Sequence, residues 1–232
     1  MSVQGEMIEI GGMPAYVAKP GGGTFPWPVV LVIQEAFGLN EHIKDVARRV
    51  AGEGYLAVAP DLFHRSGKGR TAGYDELPKA LELMGALTDD GIVADVSRAI
   101  AWAEKQPNVK AGRIGITGFC MGGRVSYLAA CALPDKITAS APFYGGGIPV
   151  DRTGSLKAPV LAFFGDQDPF IPMDSVEKLR AEATKLGKQV EIVVYPGAPH
   201  GFFCNERDSY RPDAAKDAWE KVKAFFKKHL QG

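Results

Sequence analysis

The sequence has no excess charge of either sign and little cysteine. Lysine and arginine total 27, as do aspartate and glutamate, so the formal net charge is zero. A basic patch or positive balance, which attracts nucleic acid or an anionic membrane, is therefore missing. The three cysteines, Cys120, Cys131 and Cys204, are too few and too scattered for a disulfide framework. We expect free thiols, a reducing cytoplasmic location and no nucleic-acid partner.

Long apolar runs are missing as well. No stretch approaches about 18 uninterrupted apolar residues, and the first twenty residues lack the basic segment and apolar core of a signal peptide. These absences predict a soluble protein with no membrane partner. The 232 residues, 46% of them hydrophobic and 23% charged, suit a single domain spanning residues 1–232, as a monomer or weak homodimer.

Short apolar runs alternate with longer segments of helical spacing, a pattern typical of βα units around a buried parallel sheet. The predicted core strands are Val29–Ile33, Tyr55–Ala59, Arg113–Thr117, Ala139–Phe143, Val160–Phe164 and Glu191–Tyr195. The predicted helices are Asn40–Glu53, Tyr74–Met84, Asp90–Lys105, Met121–Ala132, Ser175–Leu186 and Pro212–Leu230, with Asn40 and Asp174 as N-caps. Met7–Ile10 and Ala15–Ala18 are separated by two glycines and predict an antiparallel hairpin. We expect an α/β-hydrolase fold, with a mostly parallel central sheet and helices on both faces.

The most informative segment is an apolar strand that runs into Gly118-Phe-Cys120-Met-Gly122 and then a helix. This is the G-x-S-x-G nucleophile elbow with sulfur in place of oxygen. Small residues are needed two positions before and after the nucleophile, because larger ones would collide with the neighbouring strand and helix. The helix N-terminus favours a thiolate over a thiol. We therefore predict that Cys120 is a nucleophile, the alternative being one more buried structural cysteine.

An elbow of this kind requires an acid and then a histidine downstream, each in a loop after a later strand. Asp168 follows the strand Val160–Phe164, and His200 follows Glu191–Tyr195. His200 would move the proton between nucleophile and leaving group, while Asp168 would fix its tautomer. The nearby Asp166 is predicted to cap the turn instead.

The oxyanion that attack generates needs two backbone N–H donors. The first is predicted at Met121, the residue after the nucleophile, and the second at Ala36, in the loop after the strand Val29–Ile33. No His, Asp or Glu pair has metal-ligand spacing on a shared element. We therefore expect neither a metal nor any other cofactor.

Four motifs together resemble the dienelactone hydrolase family over essentially the whole chain. They are Gln34-Glu-Ala-Phe-Gly-Leu-Asn40, Gly118-Phe-Cys-Met-Gly-Gly-Arg124, Gly165-Asp-Gln-Asp168 and Pro199-His-Gly-Phe202. The resemblance implies a cytosolic, cofactor-independent hydrolase; the founding activity opens dienelactone to maleylacetate. It also implies that Glu35 contacts the resting nucleophile and moves aside when substrate binds. A nearby carboxylate opposes a second negative charge and so keeps the thiol neutral.

The resemblance further implies a substrate carboxylate held by two arginines, and here this sequence departs from the pattern. Arg207 comes seven positions after His200 instead of a short step after it, and Arg70 and Tyr74 lie farther upstream of the helix Asp90–Lys105 than expected. Four aromatic residues lie just beyond predicted strands and are candidates for the pocket wall or for the core. They are Phe37, Phe63, Tyr144 and Phe202.

These residues predict a cysteine-dependent hydrolase acting on a small ester or lactone. One alternative keeps the Cys120, His200 and Asp168 triad but acts on acyl groups without a carboxylate, as a general carboxylesterase or thioesterase. A second alternative is a binding module that retains the fold and has lost turnover, because fold alone does not dictate function.

Overall fold

The computed structural model describes residues 3–22 and 25–232. Four residues of the predicted domain 1–232 lie outside the described residues: Met1, Ser2, Gly23 and Thr24. Within these described residues, eight strands form one sheet in the order β1-β2-β4-β3-β5-β6-β7-β8. The strands are β1 Gln4–Ile10, β2 Met13–Lys19, β3 Trp27–Ile33, β4 Leu56–Pro60, β5 Val109–Phe119, β6 Ala139–Phe143, β7 Val160–Gly165 and β8 Val190–Tyr195.

The sheet is parallel from β4 through β3 to β8, and the first two strands are antiparallel. β1 and β2 form a hairpin whose turn residues, Gly11 and Gly12, have φ of 55° and 85°. Two positive φ angles in a two-residue turn match the right-handed twist of the flanking strands, and glycine adopts them without steric cost. The predicted α/β architecture with an N-terminal antiparallel hairpin is confirmed.

In the part of the chain that the structure describes, six α-helices connect or follow the strands. They are α1 Glu41–Gly52, α2 Leu77–Gly85, α3 Asp89–Ala103, α4 Met121–Ala132, α5 Met173–Lys185 and α6 Pro212–Phe226. A π-helical turn, Lys227–Gln231, continues α6. Within residues 3–22 and 25–232, no helix combines the length and the apolar character that crossing a membrane requires.

Helices cover both faces of the sheet. Ser140 of β6 donates its hydroxyl to the Ser126 carbonyl of α4 over 3.1 Å, and Ser140 pairs in register with Ile116 of β5. The adjacent Gly115 points the opposite way, where a Cβ atom would lie 2.7 Å from the Leu230 side chain. The α4 layer and the α6 layer therefore lie on opposite sides of β5.

The ends of several helices differ from the sequence predictions. Asn40 is the N-cap of α1 as predicted, accepting the Ile43 N–H over 3.2 Å. The N-cap prediction for Asp174 is wrong, because α5 begins at Met173 after Pro172 and places Asp174 in its first turn. α2 begins at Leu77 instead of Tyr74, which leaves Tyr74 outside the helix.

The carboxyl ends of the parallel strands meet at one edge of the sheet. The loop after β3 carries Glu35 and Ala36, the turn after β5 carries Cys120, and the loops after β7 and β8 carry Asp168 and His200. Because β3, β5, β6, β7 and β8 are neighbours in that order, residues distant in sequence converge above the middle of the sheet.

Candidate active site

Cys120 occupies a sharp turn between β5 and α4. Its backbone has φ 56° and ψ −118°, and only one other non-glycine residue with positive φ occurs in the described ranges, Tyr144. A side chain in this region is strained, and such strain is characteristic of functional turns. The Cys120 N–H donates to the Phe143 carbonyl over 3.1 Å, and its own carbonyl accepts the Gly123 N–H over 2.9 Å. The turn is thus fixed by main-chain hydrogen bonds on both sides.

The two glycines that flank Cys120 are required by close backbone contacts. A Cβ atom at Gly118 would lie 2.6 Å from the Gly122 carbonyl carbon, and one at Gly122 would lie 2.6 Å from the Gln34 oxygen. The Gly122 position would also overlap the Ile33 carbonyl oxygen. The main chain of α4 therefore packs directly on the end of β3, as the elbow motif predicts.

Asp168 and His200 meet across the ends of β7 and β8. His200 Nδ1 lies 2.7 Å from Asp168 Oδ2, and both residues are buried. A carboxylate can only accept, so Nδ1 carries the hydrogen and donates it. Asp168 Oδ1 accepts the Phe170 N–H over 2.8 Å, which fixes the carboxylate. Asp166 accepts the Gly197 N–H over 2.7 Å and stays in the turn.

The surroundings of His200 favour its charged form. Burial alone lowers the pKa of His200, but the Asp168 hydrogen bond and the adjacent Cys120 sulfur outweigh burial and raise it to about 9. The Tyr144 ring packs edge-on against the imidazole, with centroids 5.1 Å apart, and the Phe170 ring lies 5.2 Å away. The neighbours of His200 therefore stabilise a positive charge on the imidazole.

A cavity of about 610 Å³ opens above Cys120 and His200. Ala36 and Met121 line it, and Met121 begins α4, so its N–H has no acceptor within the helix. Both predicted oxyanion donors therefore belong to residues that border the same space as the thiol.

Glu35 lies under the site, fully buried against Arg207. Glu35 Oε1 is 3.6 Å from Arg207 Nη1, and neither carboxylate oxygen has a hydrogen-bond partner among the described residues. Burial raises the pKa of the Glu35 carboxyl, while Arg207 and His200 oppose the shift. Glu35 thus faces Arg207 and makes no hydrogen bond to the Cys120 thiol.

Arg207 is held between two aromatic rings. Its guanidinium lies 5.3 Å from the ring centroids of both Phe37 and Tyr74, within the range of cation–π attraction. The chain reaches this position through a compact turn, in which the Arg207 N–H donates to the Cys204 carbonyl over 3.3 Å. The chain between His200 and Arg207 therefore folds back toward His200, and Arg207 lines the cavity.

The predicted substrate-binding residues divide into three groups. Phe37, Tyr74 and Arg207 line the cavity. Phe63, Tyr144 and Phe202 are buried in the hydrophobic core and do not line it. Arg70 is exposed in the loop before Tyr74 and does not line the cavity.

Several residues that line the cavity are not among the predicted site residues, and two of these, Arg124 and Phe170, lie close in sequence to the predicted triad. Arg124 comes one helical turn after Cys120, and Phe170 follows Asp168 by two residues. Their closeness in sequence to these two residues is the signal that could have identified them as part of the site.

Three potential metal ligands come together behind the cavity, although no spacing on a single element predicted them. The donor atoms of Glu35, His42 and Cys204 all lie within 4.8 Å of one another, and all three residues are buried. Burial lowers the pKa of His42 to about 4 and raises that of Cys204 to about 11. The Arg207 guanidinium beside Glu35 opposes a cation there.

The chain is similar to one family of hydrolases over nearly its full length. The model of the dienelactone hydrolase family matches residues 13–230. A protein of Synechocystis sp. named "Putative carboxymethylenebutenolidase" is 41% identical over 245 residues, covering 100% of this chain and 96% of that protein. One of the same name from Escherichia coli strain K12 is 38% identical over 227 residues, covering 94% of this chain and 83% of that protein.

A solved structure shows the same arrangement of elements. The crystal structure of a "Putative Dienelactone Hydrolase" from Klebsiella pneumoniae superimposes with a TM-score of 0.90 at 37% sequence identity. The superposition covers 97% of this chain and 99% of that chain.

The elbow geometry gives a test with a matched control. Gly122→Ala should displace α4 from β3, because its Cβ would lie 2.6 Å from the Gln34 oxygen. We expect a loss of about 1–3 kcal/mol in the free energy of unfolding and of about a hundredfold in esterase rate. Urea denaturation and ester hydrolysis measure the two effects. Gly52→Ala, where a Cβ meets nothing within 4 Å, is the control; equal behaviour of the two variants would contradict the packing argument.

Proposed function

The chain belongs to the dienelactone hydrolase family and is a carboxylic ester hydrolase, and we propose that it hydrolyses a small ester or lactone through Cys120. One observation carries the proposal. A thiol on a strained turn at the start of α4 shares a cavity with a histidine that is hydrogen-bonded to a buried carboxylate. The proposed nucleophile, base and orienting acid are thus close to one another, which supports covalent acyl transfer.

In the first step Cys120, as a thiolate whose proton has passed to His200, attacks the carbonyl carbon, and a carbon–sulfur bond forms. The carbonyl electron pair moves to oxygen, where the N–H groups of Ala36 and Met121 stabilise the negative charge. When the intermediate collapses, the carbon–oxygen bond breaks and His200 Nε2 gives its proton to the departing alkoxide. A thioester on Cys120 and a free alcohol result; in a lactone the alcohol stays attached to the acyl group.

In the second step water hydrolyses the thioester. His200, now neutral, accepts a proton from the water as the oxygen attacks the thioester carbonyl. The same two N–H groups hold the second oxyanion, and the carbon–sulfur bond breaks to release the carboxylic acid and restore the thiolate. Asp168 keeps the Nδ1–H of His200 pointing toward the carboxylate, so that Nε2 faces the reacting atoms in both steps.

Glu35 is the proposed control on nucleophile ionisation. A carboxylate close to the Cys120 thiol opposes formation of a thiolate. When Glu35 faces Arg207 instead, the main charge beside Cys120 is the imidazolium of His200, which favours the thiolate. The position of Glu35 beside Arg207 corresponds to the arrangement proposed for the active state. Substrate would favour this arrangement by occupying the space next to Cys120.

The nucleophile is tested first. Cys120→Ala should lower hydrolysis of p-nitrophenyl acetate by at least about a thousandfold, because no other group supplies the acyl acceptor. Cys131→Ala, in the last turn of α4, where Cys131 is buried, is the matched control and should keep its rate. Acid quenching followed by peptide mass spectrometry should find the acetyl group on the Cys120 peptide. Turnover that survives in Cys120→Ala would refute the thioester mechanism. A parallel assay with cis- and trans-dienelactone tests whether the lactone of the family's name is a substrate.

The rate of hydrolysis should depend on pH through His200. The pKa of His200 is raised from 6.5 to about 9, so the proton-donating imidazolium persists at neutral pH and is lost as pH rises through about 9. We expect kcat/KM to fall above that pH. Asp168→Asn removes the stabilising carboxylate and should move this alkaline limb to lower pH. Asp166→Asn, two residues away in the same turn, is the control. An alkaline limb that does not move in Asp168→Asn would contradict the assignment.

The third prediction concerns Glu35. Glu35→Gln removes the charge that opposes the thiolate, so iodoacetamide should alkylate Cys120 in the substrate-free protein about ten times faster. Glu206→Gln, an exposed acid next to Arg207, controls for general charge effects. A thermal unfolding scan verifies that Glu35→Gln is folded. An unchanged alkylation rate in a folded Glu35→Gln protein would rule out the gating role.

A further inference from the structure

The cavity above Cys120 has two walls of different chemistry. The wall at the carboxyl ends of the strands carries the polar groups, Cys120 and His200 among them. The opposite wall comes from α2, the α2–α3 connection and the first turn of α3. Five apolar residues of this wall, here called the apolar arm, are Leu77, Leu81, Met84, Leu87 and Ile92.

The α2 part of the apolar arm is one face of a weakly anchored helix. Leu77, Leu81 and Met84 are spaced by four and three residues, so they lie on the same side of α2. Only Ala80 and Leu83 of its nine residues are buried. Leu77 is 46% exposed and Leu81 49% exposed. Contiguous apolar surface left open beside a cavity is characteristic of a binding site for an apolar ligand.

The charges of the cavity do not favour an anionic ligand. Its two arginines are already paired: Arg124 donates to both oxygens of Asp89 over 2.9 and 3.2 Å, and Arg207 faces Glu35. Among the cavity residues, all of which the structure describes, no cation is therefore left without a carboxylate partner. A substrate carboxylate would have to compete with Asp89 or Glu35, whereas an apolar chain would meet no such competition.

The length of the apolar arm sets the size of its ligand. Seven residue steps from Leu77 to Met84 correspond to about 10 Å along the helix, roughly the length of eight extended carbon–carbon bonds. The acyl part of the substrate stays on Cys120 through both steps of the proposed mechanism, whereas the leaving group departs after the first. A wall that binds the acyl part therefore assists acylation and deacylation alike.

We propose that the apolar arm binds a medium-length, uncharged acyl chain, so that the substrates include esters or thioesters of such acids. This inference rests on the proposed function and specifies its substrate class. Leu77 and Leu81 become covered when the chain is bound, and they determine chain-length specificity.

The test is a chain-length series of p-nitrophenyl esters from acetate to octanoate. Each methylene group that the apolar arm buries should raise kcat/KM by about two- to fourfold, so hexanoate should exceed acetate by at least about tenfold. Leu81→Gln keeps the helix propensity and approximate size of the residue but removes its apolar character. It should lower the hexanoate-to-acetate ratio about three- to tenfold. Met7→Gln, an equally exposed apolar residue on the edge strand β1, should leave the ratio unchanged.

The outcomes separate this inference from the proposed function. Equal kcat/KM for acetate and hexanoate, with Cys120→Ala inactive on both, would overturn the apolar arm and leave the thioester mechanism intact. Failure to hydrolyse any ester, acetate included, would defeat both. Sedimentation velocity is run on the same variants. If Leu81→Gln dissociates a dimer and leaves the ratio unchanged, α2 faces another copy of the chain, and the inference is wrong.

Discussion

The direct contact of α4 with the ends of β3 and β5 is the constraint on which the site depends. Backbone meets backbone at Gly118, Gly122 and Gly123, where any side chain would overlap a neighbouring main chain. This contact holds Cys120 at a positive φ, and Cys120, Met121 and Ala36 line the same cavity. The elbow thus fixes the position of Cys120, and the loops that carry Asp168 and His200 extend toward it.

Much of this arrangement could be predicted from the sequence, because it depends on local patterns. The buried strands are short runs of Val, Ile and Phe, and β6 and α4 begin and end where those runs predict. The elbow was recognisable because its glycines are required sterically. Asp168 and His200 were recognisable because each follows a strand in the order that the fold imposes.

The parts that could not be predicted depend on how loops fold back across long distances. Arg207 reaches Glu35 because the chain after His200 makes successive tight turns, which the spacing of seven residues does not reveal. His42 lies on a helix with charged neighbours and nevertheless points inward, where both ring nitrogens are buried. The late start of α2 releases Tyr74 to contact Arg207. In each case tertiary packing, not local preference, decides the position of a polar side chain.

The packing of Leu230 on Gly115 has a consequence for how the chain is made. Leu230 and Phe226 fill the space beside a glycine in the middle of β5, the strand that leads to Cys120. Contacts between residues so far apart in sequence require the closure of a long loop, which costs conformational entropy. During synthesis, which proceeds from the N-terminus, the α6 side of β5 stays open to water until α6 has left the ribosome. Cys120 thus follows a strand whose packing on one face waits for α6, and a chain interrupted before α6 would carry this thiol next to an incomplete core.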